Sequence, residues 1–171
     1  VGVIGDVPFV NAAGLGFDVE VLERMQQVRF LTGTAAYVVT ALRALLGYKG
    51  YDAGWRSAAH TCGPKRHLLT VFANGATFGG TFRIAPHAQL DDGVLELVDI
   101  AALSPLARPG VFLRAIRGTH LTHPSVTHER GNAWTITSEQ PLHFEADGER
   151  YVASGDTLDI RVMPRTLRVV T

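Results

Sequence analysis

One cysteine, Cys62, and two methionines are all the sulfur in these 171 residues. A lone cysteine excludes an internal disulfide framework, and a reducing, cytoplasmic setting is compatible with it. Neither sign of charge is in excess, since sixteen Lys and Arg balance sixteen Asp and Glu. That removes the basic field by which nucleic acid is held through bulk electrostatics. No apolar run reaches the length of a membrane span, and no signal-peptide pattern opens the chain. Three motifs are also missing: the G-x-S-x-G of a serine hydrolase, the G-x-x-x-x-G-K-[ST] phosphate loop and the H-E-x-x-H of a zinc protease.

What is there is a globular composition. The chain is 46% hydrophobic and 19% charged, enough apolar material for a core and too little charge for disorder. Its length predicts one domain over residues 1–171. It begins with an apolar segment, VGVIGDVPFV, and no initiator Met, which leads us to expect a piece of a longer protein.

Short strand signals dominate. Val7–Asn11 and Gly16–Leu22 read as strands around a Gly14-Leu15-Gly16 bend, and Glu20–Arg29 is ambiguous between strand and helix. Thr34–Leu46 is the best helix, with Val38, Leu42, Leu45 and Leu46 on one face and Gly47 as its stop. Tyr51–His60 reads as strand, Cys62-Gly63-Pro64 as a break, and His67–Ala73 as strand again. Asn74-Gly75 is a hairpin signal, followed by a short strand at Thr81–Ile84. Asp91-Asp92-Gly93 is a tight turn leading into an apolar strand at Val94–Ile100. A second helix is expected at about Pro109–Arg117, stopped by Gly118. Strands then follow at Ser125–Glu129, Ala133–Thr137, Leu142–Glu145, Thr157–Val162 and Thr166–Val170. Many short strands with about two short helices predict a mainly β, antiparallel fold, a sandwich or barrel-like domain.

Two turns carry the carboxylates of interest. Asp147 and Glu149 flank Gly148, and two neighbouring carboxylates can supply a general base or simply a solvated turn. Asp91-Asp92-Gly93 offers oxygen ligands to Mg²⁺ or Ca²⁺, or is a plain turn. His120, His123 and His128 lie close in sequence but lack the remaining pattern of a zinc site.

Four segments, in order, resemble the C-terminal half of the soluble bacterial diacylglycerol kinase and sphingosine kinase family. Asn11 to Asp18 resembles its N-x-x-G-x-G-F-D segment. Asn74-Gly75 with Gly79-Gly80, then Ala85-Pro86-x-Ala88-x-Leu90-Asp91-Asp92-Gly93, resembles N-G…G-G-G…A-P-x-A-x-x-D-D-G. Gly118-x-His120 with Pro124 is similar to G-x-H…P, and Ala146-Asp147-Gly148-Glu149 to the D-G-E close. Thr81 stands where a third glycine is usual, and Ala146 where a bulkier apolar residue is usual.

The resemblance implies a C-terminal, lipid-binding domain of a two-domain kinase. Its partner within the same protein would be an N-terminal nucleotide-binding domain, whose G-G-D-G-T-type loop this chain lacks. Such enzymes phosphorylate a lipid hydroxyl, of diacylglycerol or a sphingoid base, with MgATP. Carried onto this sequence, Glu149 is the proton acceptor with Asp147 beside it as a second catalytic carboxylate. Asn74, Gly75, Gly79 and Gly80 are expected at the cofactor side. A structural Mg²⁺ maps to the Asp92 carboxylate and the carbonyls of Gln89 and Val94. The lipid groove is expected near Val71, Phe72 and Phe78. The chain alone is expected to be inactive, to touch membranes peripherally and transiently, and to self-associate, forming a homodimer. The alternative reading is a non-enzymatic β-sandwich that holds a lipid or a partner, with a small β-barrel hydrolase using Asp147 and Glu149 as a further one.

Overall fold

The computed structural model describes residues 1–27, 43–79, 82–164 and 166–167. The chain opens with β1 (Gly2–Ile4), β2 (Val7–Phe9) and β3 (Ala12–Gly16), then passes directly into α1 (Phe17–Gln27). Residues 43–47 are helical. Next come β4 (Tyr51–Arg56), β5 (Thr61–Ala73), β6 (Leu95–Ala101), α2 (Arg108–Arg117) and a 3-10 turn at His120–Thr122. Five strands finish the described fold: β7 (Val126–Gly131), β8 (Ala133–Thr137), β9 (His143–Ala146), β10 (Glu149–Val152) and β11 (Thr157–Val162).

All pairings are antiparallel, in an eleven-stranded sheet ordered β10-β9-β3-β5-β4-β8-β11-β1-β2, with β6 on β5 and β7 on β6. The 13-residue β5 is what lets this sheet curl over itself into a sandwich-like half-barrel. Its first half, to His67, pairs with β4, and its second half, from Leu69, pairs with β3 on the same edge and β6 on the other. A bulge sits where Gly54 faces Gly63 and Pro64, and there the missing proline N–H interrupts no further pairing. The expected break at Cys62-Gly63-Pro64 is therefore a bulge inside one long strand.

Two cores result. The inner one joins the two halves of the sheet: Leu15, Phe72, Leu97 and Phe144 from one side meet Trp55, Trp134, Ile136 and Ile160 from the other. Phe72 and Trp134 have ring centroids 5.4 Å apart. The outer core lies between the back of β3, β5 and β6 and the helices, with Val71, Val98 and Ile100 against Phe17, Val21, Leu45 and Val111.

At the bend of β5 the inner core holds a polar network. Asp99 accepts hydrogen bonds from His67 Nδ1 at 2.6 Å, Thr70 Oγ1 at 2.8 Å and Trp55 Nε1 at 3.3 Å, and Tyr51 donates to Thr70. The other ring nitrogen of His67 donates to the Ala53 carbonyl at 2.9 Å, which links β5 to β4 and β6 at one point. Burial pushes the Asp99 carboxyl up, but the hydrogen bond and charge of His67, with Thr70 and Lys65, outweigh it and hold the carboxyl below its ordinary value.

Several expectations change. The strand expected over Gly16–Leu22 is instead the end of β3 and the start of α1. Phe17, Val19 and Val21 alternate like a strand, but Asp18 and Glu20 suit a helix N-terminus; all three are buried, Phe17 and Val21 in the outer core and Val19 at the wall of a cavity. Asn74-Gly75 starts a long connection to β6, closed by a Phe78–Phe82 bridge, rather than a two-residue hairpin. Three helical stretches are described where about two were expected. Of the Thr34–Leu46 helix only residues 43–46 are described, and they are helical. Thr166 and Leu167 are not in a strand, and residues 168–170 lie outside the described residues, as does Thr81. The helix ending at Arg117 is observed, with Gly118 left-handed at φ 71° as its cap.

Removing one partner of a buried pair leaves the other uncompensated. His67→Ala is expected to cost about 3–5 kcal/mol, read by urea denaturation. In wild type, the Asp99 contribution is present above its unfolded value of 3.8 and is lost as pH falls through the lower folded value. A His67→Ala chain as stable as wild type contradicts the role given to this network.

Candidate functional site

Three of the four sequence segments meet at one end of β3. The β9–β10 connection has only two residues, Asp147 and Gly148, with φ 48° and 89°. Positive φ at both positions is the hairpin turn whose twist matches its strands, and Asp-Gly is suited to it. From that position the Asp147 carboxylate reaches back across the chain. Its Oδ2 accepts the Val10 N–H at 2.7 Å, and its Oδ1 accepts Asn11 and Ala12 at 2.9 and 3.1 Å. Asp147's own N–H donates to the Ala12 carbonyl at 3.0 Å.

Asn11, fixed by this clamp, organises the next segment. Its carbonyl accepts the N–H groups of Asn74 and Gly75 at 2.8 and 2.9 Å. Asn74 Nδ2 donates to the Val10 carbonyl at 2.7 Å, and Asn11 Nδ2 donates to Thr77 at 3.0 Å. A Cβ on Gly75 would lie 2.2 Å from Asn11 Oδ1, so any other residue here displaces the Asn11 side chain from its bond to Thr77. Asn74 and Gly75 are buried and hold the loops together. Gly79 is exposed with φ 55°, and Gly80 lies outside the described residues.

The two turn carboxylates have different surroundings. Asp147 is a clamp with every described contact on backbone. Glu149 is exposed at the start of β10, the last strand of the sheet, and its Oε2 accepts the Tyr151 hydroxyl at 3.0 Å. Tyr151 in turn stacks on Phe144, with centroids 5.4 Å apart, which anchors the pair to the inner core.

On the other face of the sheet is a feature the sequence reading missed. Glu145, two residues before Asp147, is buried beside Asp18 and the bare Cα of Gly14. A Cβ on Gly14 would lie 1.8 Å from Asp18 Oδ2 and 3.3 Å from Glu145 Oε1. Glu145 Oε2 accepts the Gly148 N–H at 2.7 Å, so this carboxyl supports the same turn from beneath. Burial pushes Asp18 up to about 7, and burial with the neighbouring Asp18 pushes Glu145 up to about 8. Gly14 and Asp18 are both in the quoted motif, which was the available signal. Glu145 gave none beyond its strand alternation.

The Asp92 turn lies apart from this cluster. Asp92 Oδ1 accepts the Val94 N–H at 2.9 Å, and Gly93 is left-handed at φ 75°. Oδ2 accepts Arg130 at 2.6 Å, and Arg130 Nε is 3.5 Å from buried Glu96. One carboxylate with the carbonyls of Gln89 and Val94 is a donor set of the type a hard cation takes, and Arg130 competes with such a cation for Asp92.

The expected lipid groove is not at Val71 and Phe72, which are fully buried in the outer and inner cores. Phe78 packs partly buried on the outer core. A cavity of about 260 Å³ opens elsewhere, walled by Glu20, Glu23, Tyr48, Tyr51, Asp52 and His143 among others, and Glu149 is not part of it.

The fold defines the class: a mainly β, antiparallel, sandwich-like half-barrel with its acidic hairpin clamped at one end. Residues 11–171 match the family model of the YegS C-terminal NAD kinase beta sandwich-like domain, and the chain belongs to that family. It is 28% identical over 151 residues to the diacylglycerol kinase of Staphylococcus aureus (strain JH9), a match covering 87% of this chain and 47% of that protein. The Newman strain protein gives the same figures. The chain thus spans about half the length of the curated relatives it matches. A solved diacylglycerol kinase structure from Bacillus anthracis str. Sterne matches 96% of this chain and 50% of its own, with TM-score 0.59 and 11% identity. A second from that organism matches 96% and 52%, with TM-score 0.66 and 17% identity, and both show the shared fold.

Two outcomes are expected. Unfolded Asp18 and Glu145 ionise near 3.8 and 4.5, whereas folded they keep protons to about 7 and 8, so stability falls as pH rises through that window. Thermal melts across pH check this, and Glu145→Gln flattens the slope; an unchanged slope contradicts the burial of the pair. Secondly, Mg²⁺ or Ca²⁺ raises the melting temperature of Arg130→Gln more than that of wild type. Equal shifts contradict competition at Asp92.

Proposed function

We propose that this chain is the lipid-substrate domain of an ATP-dependent kinase that phosphorylates a lipid hydroxyl, of diacylglycerol or a sphingoid base-like alcohol. The observation that carries the reading is the split between the two turn carboxylates: Asp147 is consumed in fixing the turn, and Glu149 is left exposed at the sheet edge. Family membership supports the kinase class, and the names of the relatives support the lipid.

Phosphoryl transfer asks a protein mainly for positioning and charge neutralisation. In this reading the lipid hydroxyl approaches Glu149. Its oxygen forms the new bond to the γ-phosphorus of ATP as the bond to ADP breaks, and the hydroxyl proton passes to the Glu149 carboxylate. Tyr151 orients that carboxylate by donating to Oε2. ATP and its Mg²⁺ come from an N-terminal nucleotide-binding domain of the same protein. A second Mg²⁺ at Gln89, Asp92 and Val94 would stiffen the connection to β6 and take no part in the transfer. The enzyme would act in the cytoplasm, peripherally on a membrane. Among the described residues no helix is long and apolar enough to cross one.

The test is transfer of labelled phosphate from ATP to lipid in mixed micelles, using the full-length protein that contains this chain. Glu149→Gln is expected to lose about 100-fold or more of the activity while its melting temperature stays at the wild-type value. Equal activity removes Glu149 as the proton acceptor. If the folded full-length protein labels no lipid, the kinase reading fails and a lipid- or partner-binding module takes its place.

A further inference from the structure

Arg130 stands between two carboxyls and satisfies only one of them. It lies on β7 directly opposite Glu96 on β6, where facing side chains are close neighbours. Its Nη2 donates to Asp92 Oδ2 at 2.6 Å, whereas its Nε is 3.5 Å from Glu96 Oε1. Glu96 is 1% exposed. Its Oε2 is hydrogen-bonded to His128 Nε2 at 3.0 Å, and its Oε1 is buried with no partner among the described residues. A buried polar atom left in this state is uncommon in a folded protein.

The Asp92 side chain has one oxygen to offer a cation. Oδ1 already takes the Val94 N–H at 2.9 Å. The other, Oδ2, is the oxygen that Arg130 holds. A divalent ion and a guanidinium on one oxygen repel each other, so the ion enters only as Arg130 leaves. The Arg130 side chain is 52% exposed and is free to turn while its backbone stays in β7. Within its reach is Glu96 Oε1, which lacks a partner. Arginine binds a carboxylate through two N–H groups when the geometry allows, and the facing positions on β6 and β7 allow it.

We infer that Arg130 is an internal stand-in for the cation of the Asp92 turn, and that cation binding hands Arg130 from Asp92 to Glu96. The inference rests on the reading of Gln89, Asp92 and Val94 as a cation site. Glu96 acts on the cation through Arg130 and does not ligate it. The same elements are then held in two ways. Without the ion, Arg130 ties β7, whose one neighbour among the described strands is β6, to the turn that precedes β6. With the ion, the turn is held by the ion, Arg130 ties β7 to β6 across the ladder, and the buried Glu96 oxygen gains its hydrogen bond. Cation affinity is set in part by how well Glu96 receives the arginine.

The test is calorimetric titration of Mg²⁺ into the full-length protein that contains this chain, with no nucleotide present. Asp92→Asn identifies the binding event at this turn by removing it. Glu96→Gln is expected to weaken that event about fivefold in the wild-type background, and less than about twofold in Arg130→Gln, where there is no arginine to receive. The Arg130 Nε–H signal in nuclear magnetic resonance spectra is expected to shift as Mg²⁺ is added to wild type and to stay still in Asp92→Asn. This second measurement leaves buried Glu96 unchanged, so it decides the matter even where Glu96→Gln does not fold. Equal weakening in both backgrounds overturns the inference, because it makes Glu96 a direct partner of the cation. So does a Glu96→Gln protein that binds Mg²⁺ like wild type, or an Arg130 signal indifferent to Mg²⁺. Mg²⁺ binding that Asp92→Asn leaves intact, or that no variant shows, removes the cation site itself and the inference with it. Loss of the transfer alone from Arg130, with the Asp92 event still present, leaves that site standing.

Discussion

The candidate site depends on one carboxylate holding three backbone N–H groups. Those of Val10, Asn11 and Ala12 sit where β2 gives way to β3, and a strand start of this kind leaves donors without a ladder partner. Asp147 supplies the acceptors from 135 or more positions away in the chain. Everything else at that end follows. Asn11 is held so that its carbonyl receives Asn74 and Gly75, Gly75 gives up its Cβ to make room, and the hairpin presents Glu149 outward. The positive φ of Asp147 is the conformational cost of this arrangement. It is offset by the hydrogen bonds that its side chain and main chain make together.

A second constraint keeps the two halves of the sheet in register. β5 belongs to both halves, and at its bend the Asp99–His67 pair ties it to β4 and β6. A wholly apolar core would tolerate sliding there. A buried carboxylate–imidazole pair with Thr70, Trp55 and Tyr51 around it has one geometry that satisfies it. The outer face of the same strand packs under the helices, so the turn carrying Glu149, the Asp18–Glu145 pair beneath it and α2 are all referred to one long strand.

Much of this was legible where the local signal and the tertiary outcome agree. Ala133–Thr137 and Thr157–Val162 alternate cleanly and form strands with those bounds, because one face is core and the other solvent. Gly118 marked the end of α2 for the reason glycine usually does. The signal failed where tertiary packing chose between two local options. Phe17, Val19 and Val21 fit a strand period, yet form a helix whose Phe17 and Val21 pack into the outer core. β10 was overlooked because Glu149–Val152 is short, polar and at the end of the sheet, where alternation need not show. In the site, motif order identified Asp147, Glu149, Asn11 and Asn74. It did not distinguish a carboxylate that binds backbone from one that faces outward, since the partners of Asp147 are remote in sequence. The meeting of Asp18 with Glu145 and of Asp92 with Arg130 was invisible for the same reason.

Amide hydrogen exchange at Val10, Asn11 and Ala12, in wild type and in Asp147→Asn, measures the central clamp itself. The account predicts that all three are protected in wild type and that they lose protection together in the variant, while the amides of β5 around Val71 keep theirs. Three amides that exchange freely in wild type, or that stay protected without the Asp147 charge, would contradict it. The outward presentation of Glu149 would then need another cause.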